Sequence, residues 1–223
     1  MEQTRWRQDF FDDVEPIKVR DPLAYVLGAQ DEGMPMVFTY GDAVRLAGHS
    51  CPAVSGAYKL TAKALKALYP DELPVRGEIR VLVKGSAADL AYGPQAQVIT
   101  LITGAAGKAG FKGLGGRFSR NGKLFFDPSD PRFNTFIFQR EDTDAAVEVV
   151  YNPSVLPGDP RTSELMGLVL RGMATQRQHD EFVSLWQGKV RSILLEDESH
   201  PGLFTVRTLE GFDFPDASRL EEA

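Results

Sequence analysis

Residues 52–70 read PAVSGAYKLTAKALKALYP. Apolar or small side chains recur at Val54, Ala57, Tyr58, Thr61, Ala64, Leu65 and Leu68. That is the 3.6-residue period of a helix with one buried stripe. Pro52 suits the first helical position, where an N–H is not needed, and Pro70 lies just past the far end. Gly56 and Ala57 are small, which points to close approach by another element. A helix with so wide a stripe must lie on something, and the segments around it supply the surface.

Downstream, VRGEIRVLVKG (75–85) alternates Ile79, Val81 and Val83 with Glu78, Arg80 and Lys84, the pattern of a strand buried on one face. PQAQVITLITG (94–104) begins at a proline and stops at Gly104, which favours a helix. GKLFFD (122–127), NTFIFQRE (134–141) and AAVEVVYN (145–152) read as strands. The first two read as neighbours across the Asp-Pro turns at 127–131. PSVLPGDPR (153–161) reads as a linker. Residues 161–196 read as one or two helices, capped at Thr162 or Ser163 and again at Thr175. LFTVRTLEGF (203–212) reads as a last strand before a loose acidic tail.

Upstream, DPLAYVLGA (21–29) suits a short helix capped by Asp21, and TYGDAVRLAGH (39–49) a helix that breaks at Gly48. Residues 1–20 read as a polar arm with an amphipathic piece around Trp6, Phe10, Phe11 and Val14. The sum is an α+β fold: an antiparallel sheet of about four strands, helices packed on one side, and a C-terminal helical hairpin. The expected organisation is an arm over 1–38, a core over 39–152 and C-terminal helices over 153–223.

Hydrophobic residues make up 43% of the 223, enough for a sizeable core. A net charge of −6 argues against a general nucleic-acid binder, which would carry a basic stripe. No apolar run approaches the roughly 18 residues of a membrane span. The N-terminal stretch MEQTRWRQDFFDDVEP lacks the apolar region of a signal peptide. A single cysteine excludes an intrachain disulfide and fits a reducing cytoplasm. It also excludes a zinc ribbon or iron–sulfur cluster held by one chain alone. These readings give a cytoplasmic protein with neither nucleic acid nor membrane as partner.

That one cysteine stands in G-H-S-C-P (48–52), two residues after His49 and at the start of the long helix. A cysteine at a helix N-cap meets free backbone N–H groups and the positive end of the helix dipole, a setting that favours thiolate. In a turn leading into a helix, an i, i+2 pair of imidazole and thiolate can converge on one ion, and the donor set suits Zn²⁺ or a related transition metal. The plain alternative is a buried, inert cysteine acting as a small hydrophobe.

Gly48-His49-Ser50-Cys51-Pro52-Ala53 resembles the G-H-x-C-P-G motif of the FmdE-like family, which takes its name from a component of formylmethanofuran dehydrogenase. The likeness continues over about residues 40–150. Tyr92-Gly93-Pro94-Gln95-Ala96-Gln97 stands where the family has C-G-x-D-A-x-Q. Thr103-Gly104-Ala105-Ala106-Gly107-Lys108 stands for T-G-C-T-x-G-K, and Gly122-Lys123 precedes the next strand. The second and third family cysteines are replaced by Tyr92 and Ala105, the aspartate by Gln95, and the C-terminal cysteine-rich module by the helices of 161–196. The resemblance implies an α+β core, a homodimer, and metal binding through His49 and Cys51. It does not imply formylmethanofuran chemistry.

Other candidates lie outside that motif. Tyr92 is either a phenolate ligand, which would bring in iron or haem, or a tyrosine at a core edge. Gly104, Gly107 and Lys108, with Lys112, belong to a run with six glycines in thirteen residues. Such a run can cradle an anion or simply turn, and the resemblance keeps it near the metal pair. It lacks the spacing of a Walker loop. His179 and His200 are either distant ligands or solvated side chains, and Asp42 or Asp89 can orient His49. The Phe run at 118, 125, 126, 133, 136 and 138 is strand core by default. Three functions are in play: a zinc-dependent protein acting on a small anionic molecule, a haem or metal-cofactor carrier, and a metal-free enzyme with Cys51 as nucleophile and His49 as base.

Overall fold

The computed structural model describes residues 4–223. Two short strands, β1 (Ile17–Val19) and β2 (Met36–Phe38), pair antiparallel and flank the first helix, α1 (Pro22–Val26). Asp21 caps α1 by accepting from the N–H groups of Leu23 and Ala24. Helix α2 (Tyr40–Ala47) opens on a capping box between Thr39 and Asp42 and ends at Gly48, whose φ of 73° is the left-handed C-cap that glycine supplies without strain. After a short connector, α3 (Pro52–Leu68) begins at its proline. β3 (Ile79–Val83), α4 (Tyr92–Thr103) and β4 (Leu124–Phe126) follow. Then come β5 (Thr135–Arg140), β6 (Ala146–Tyr151), α5 (Pro160–Leu170), α6 (Gln176–Leu195), β7 (Phe204–Leu209) and β8 (Glu221–Glu222).

The α+β class holds, with three corrections to the expected antiparallel sheet. It has six strands in the order β7-β6-β5-β3-β4-β8. One pair, β3 with β4, is parallel, so β3-α4-β4 is a crossover unit. β4 and β5 are not neighbours: β3 runs between them, antiparallel to β5. The 127–134 connection wraps the end of β3. There Asp127 N–H donates to Val83, Lys84 N–H to Thr135, and Arg132 N–H to Lys84. The buried Lys84 ammonium holds Asp127 at 2.6 Å. Helix α5 is capped by Asp159, one residue before Pro160, rather than by Thr162 or Ser163; Thr175 does cap α6.

The main core lies between the sheet and helices α2, α3 and α4. It also takes in Phe10, Phe11 and Val14 of the arm and Val190, Ile193 and Leu194 of α6, so all three segments share one core. The opposite face of β3 is not left to solvent. Leu82, Phe125 and Ile137 are covered there by Leu209, Phe212, Phe214 and Leu220. The tail is thus a strap rather than a loose end: its apolar side chains seal a second layer and Glu221–Glu222 add a strand to β4.

Gly56 meets its expected close approach. A Cβ there would stand 2.3 Å from the Tyr151 ring. The Tyr151 hydroxyl donates to Pro52 O at 2.9 Å, and Asn134 O accepts from Tyr151 N–H. Asn134 N–H in turn donates to the Tyr92 hydroxyl. At the other end of the sheet, Thr103 O accepts from Gly77 N–H and Leu68 O from Arg140. Helices α3 and α4 therefore lie side by side and parallel, with both N-termini at the same end.

Candidate functional site

The His49-Ser50-Cys51 connector is built by the two helices it joins. Gly48 turns the chain out of α2, which leaves the last-turn carbonyls of that helix without intrahelical donors. His49 satisfies one of them: its Nδ1 lies 2.9 Å from Ala47 O. A carbonyl can only accept, so Nδ1 carries the proton. In the neutral form of this exposed ring, Nε2 then keeps the lone pair. This is the bond that metal-binding histidines commonly make through their second ring nitrogen.

Cys51 is the N-cap of α3, with φ −150° and ψ 168°, and its side chain does not cap the helix. The first helical carbonyl, Cys51 O, accepts from Ser55 N–H and from Ser55 Oγ. The thiol is half-buried against the core. Burial drives the hydroxyls of Tyr40 and Tyr151 well above the ordinary tyrosine value. Both phenols therefore stay neutral, with Tyr40 bonded to Ser50 Oγ and Tyr151 donating to Pro52 O.

Ser50, between the two candidate ligands, is pinned from two sides. Its Oγ lies 2.9 Å from the Tyr40 hydroxyl and donates to Gln187 Oε1 at 3.1 Å. Its carbonyl accepts from Trp186 Nε1 at 3.0 Å and Gln187 Nε2 at 3.3 Å. Helix α6 thus holds the connector in the same chain. No local sequence signal marks this, because the partners lie 136 and 137 residues away. The double variant Trp186→Phe, Gln187→Leu is expected to lose about 1–3 kcal/mol, since each lost bond is worth about 1 kcal/mol net. Urea unfolding measures that loss. Iodoacetamide should also modify Cys51 faster in the variant, because the connector is no longer held.

The other sequence candidates fall elsewhere. Tyr92 lies at the same end of the fold but is buried, and its hydroxyl is committed to the backbone. It accepts from Asn134 N–H at 3.1 Å and faces Arg132 O at 3.2 Å and Lys84 O at 3.4 Å. Burial raises it above the ordinary tyrosine value. It is a tie between β3, α4 and the 132–134 loop, not a free ligand. Gly104 caps the opposite end of α4, with φ 75°, about 18 Å along the helix from Tyr92 at 1.5 Å per residue. A Cβ there would meet Arg120 and Arg76. Gly107 packs against the backbone of Ala223, and Lys108 is exposed in the same loop. The glycine-rich run is therefore separated from His49 and Cys51 by the length of α4. Its glycines serve helix termination and contact with the tail.

Asp42 is occupied by its capping box and by Arg45, and Asp89 by Ser86 N–H, so neither orients His49. Among the described residues, no three His, Cys, Asp or Glu side chains are grouped to share an ion. His179, in the first turn of α6, and His200, after the turn Asp197–Ser199, do not complete a protein cage with His49 and Cys51. Among the described residues, no helix is long and apolar enough to cross a membrane. Compared with known proteins, the chain matches no family model and no curated protein.

Proposed function

We propose that the chain is a cytoplasmic transition-metal-binding protein related to the FmdE-like family, with His49 and Cys51 as its two protein ligands and Zn²⁺ as its ion. The observation that supports this best is the Nδ1–H bond of His49 to Ala47 O. In the neutral ring it leaves Nε2 of an exposed imidazole as an acceptor, two residues from a thiol that does not cap its helix. Two ligands from one chain leave positions for water, a small anionic molecule, or side chains of a second copy in a homodimer. An ion held in this open way supplies Lewis-acid activation of water or of a bound anion. The chain's own contribution is the rigid connector, fixed by Trp186, Gln187 and Tyr40.

The test is elemental analysis, per chain, of the purified protein beside Cys51→Ala. About one zinc per chain is expected, as for a stoichiometric site, and it should be lost in the variant without loss of fold. Full occupancy in the variant would overturn the reading. Iron in place of zinc would revive the cofactor-carrier alternative, but with an axial group other than Tyr92. A second reading, a metal-free thiol nucleophile with His49 as base, draws on the same N-cap position of Cys51. It requires metal-free protein whose Cys51 is alkylated rapidly near neutral pH.

A further inference from the structure

A cavity of about 430 Å³ opens between residues 76–78 before β3, residues 141–142 after β5 and residues 117–120, which follow the glycine-rich run. The glycines of that run do not line it; the side chains after them do. The rim carries both signs of charge, and most of it is already paired. Lys123 bridges Glu141, and Asp142 is held by Arg140. Glu78 and Arg117 are exposed.

The inner end is different. Arg76 and Arg120 share one carboxylate, that of Asp21, so one positive charge there is unmatched. Such a charge is costly away from water unless an anion meets it. Arg120 is 8% exposed, and only its Nη2 is used, on Asp21. Its Nε and Nη1 donate to nothing among the described residues, yet neither is sealed from solvent. Nε stands by the Gly77 wall of the cavity, where a Cβ would lie 3.4 Å from it.

Two further donors belong to the same wall. Among the described residues, the N–H groups of Phe118 and Ser119 have no acceptor. Phe118 takes φ 61°, a left-handed conformation uncommon for a bulky side chain, and strain of that kind collects at ligand clamps. Its half-buried ring lines the cavity with Pro22, and the Arg117 guanidinium lies 4.8 Å from the ring centre. Guanidinium and backbone donors from different residues suit a tetrahedral oxyanion better than a planar carboxylate. The cavity is also larger than a bare oxyanion needs.

We propose that this cavity binds a phosphate monoester with a compact ring-bearing body. The phosphate lies at the inner end, accepts from Arg120 and from the Phe118 and Ser119 N–H groups, and offsets the unmatched charge. Arg117 meets it from the rim, and the body lies along Phe118 and Pro22. Glu78 and Glu141, at the outer rim, disfavour a body with further negative charge.

The test is a titration of the isotope-labelled full chain with phenyl phosphate, followed by backbone amide and arginine Nε–H signals. Inorganic phosphate, benzoate and benzyl alcohol are the matched probes. Saturable shifts with phenyl phosphate are expected at residues 76–78 and 117–120, together with a shift of the Arg120 Nε–H signal. Inorganic phosphate should bind several-fold more weakly, and benzoate about ten-fold more weakly, the equivalent of one hydrogen bond to a charged group. Arg117→Gln, at an exposed position, should weaken phenyl phosphate binding several-fold and lower its salt dependence, with the unfolding midpoint unchanged. Benzoate or benzyl alcohol binding as tightly as phenyl phosphate would overturn the proposal, as would an Arg120 Nε–H signal that does not move. Inorganic phosphate binding as tightly would overturn the ring-bearing body. Shifts centred elsewhere, or no saturable shift, would overturn the site itself.

Discussion

Asp21→Ala is expected to destabilise the protein by about 3–5 kcal/mol, the range for removing one partner from a buried ionic cluster. Asp21 is 6% exposed. Its carboxylate accepts from Arg120 at 2.7 and 2.9 Å and from Arg76 at 3.0 Å, and it caps α1 as well. Arg76 is further held by Leu101 O. Burial, and then the neighbouring Arg120 charge, pulls the Arg76 guanidinium below its ordinary value. Without Asp21, two guanidiniums face each other with no counter-charge. Asp21→Asn keeps an acceptor for the cap but not the charge, so it should show most of the loss. Urea unfolding of the three proteins separates the cap from the ion cluster.

The same cluster sets an acid dependence with a definite sign. Burial alone would raise the Asp21 carboxyl, but Arg120 and then Arg76 outweigh it and hold it below the ordinary 3.8. A carboxylate depressed in the folded state binds fewer protons there than in the unfolded chain, so it stabilises above the unfolded value. That contribution is fully present above 3.8 and is lost as pH falls through the lower folded value. Parent and Asp21→Ala should therefore differ most near neutrality and converge in acid. Asp127, beside Lys84, and Asp197, beside Lys59 and Lys63, are depressed in the same way. The parent–variant difference, rather than either curve alone, reports Asp21.

Residues 52–70 carry their own helix because its start, its stripe and its stop are all local signals. The same holds for Asp21 before Pro22 and for Thr39 before α2. What could not be read locally is how strands meet. β4 is three residues, all buried, with no alternation to show which neighbour it takes, and its parallel partner lies one crossover away. The acidic residues of the tail suggest a loose end, although Phe212, Phe214 and Leu220 decide where it lies. At the site, the local part was legible: His49 and Cys51 come from one short turn, and their setting follows from Gly48 and Pro52. The supports were not. Trp186 and Gln187 reach Ser50 across more than half of the chain, and nothing in their sequence neighbourhood marks them. The glycine-rich run misled for the opposite reason. Six glycines suggest a ligand cradle, but the structure uses Gly104 for a left-handed helix end and Gly107 for room against the tail.

Gly56→Val is expected to cost about 3 kcal/mol through overpacking and to reach the candidate site as well. Any Cβ at 56 would lie 2.3 to 2.8 Å from three atoms of the Tyr151 ring. The ring cannot step aside easily. It is 1% exposed, stacked on Phe204 at 5.0 Å and 18°, and tied by its hydroxyl to Pro52 O. The gain in helix propensity from replacing glycine, under about 1 kcal/mol, does not offset a clash with a fixed ring. Relief requires α3 to lift from β6 or the ring to leave Pro52, and either movement disturbs the residue next to Cys51. The variant should therefore show a lower unfolding midpoint together with an altered Cys51 alkylation rate. Tyr151→Ala alone should cost about 3–5 kcal/mol by leaving a cavity. Combined with Gly56→Val it should cost less than the sum, because the valine methyls enter the space the ring vacates. Strict additivity in that cycle would mean the two residues do not share this contact, and that the α3–β6 seam does not set the position of the Cys51 connector.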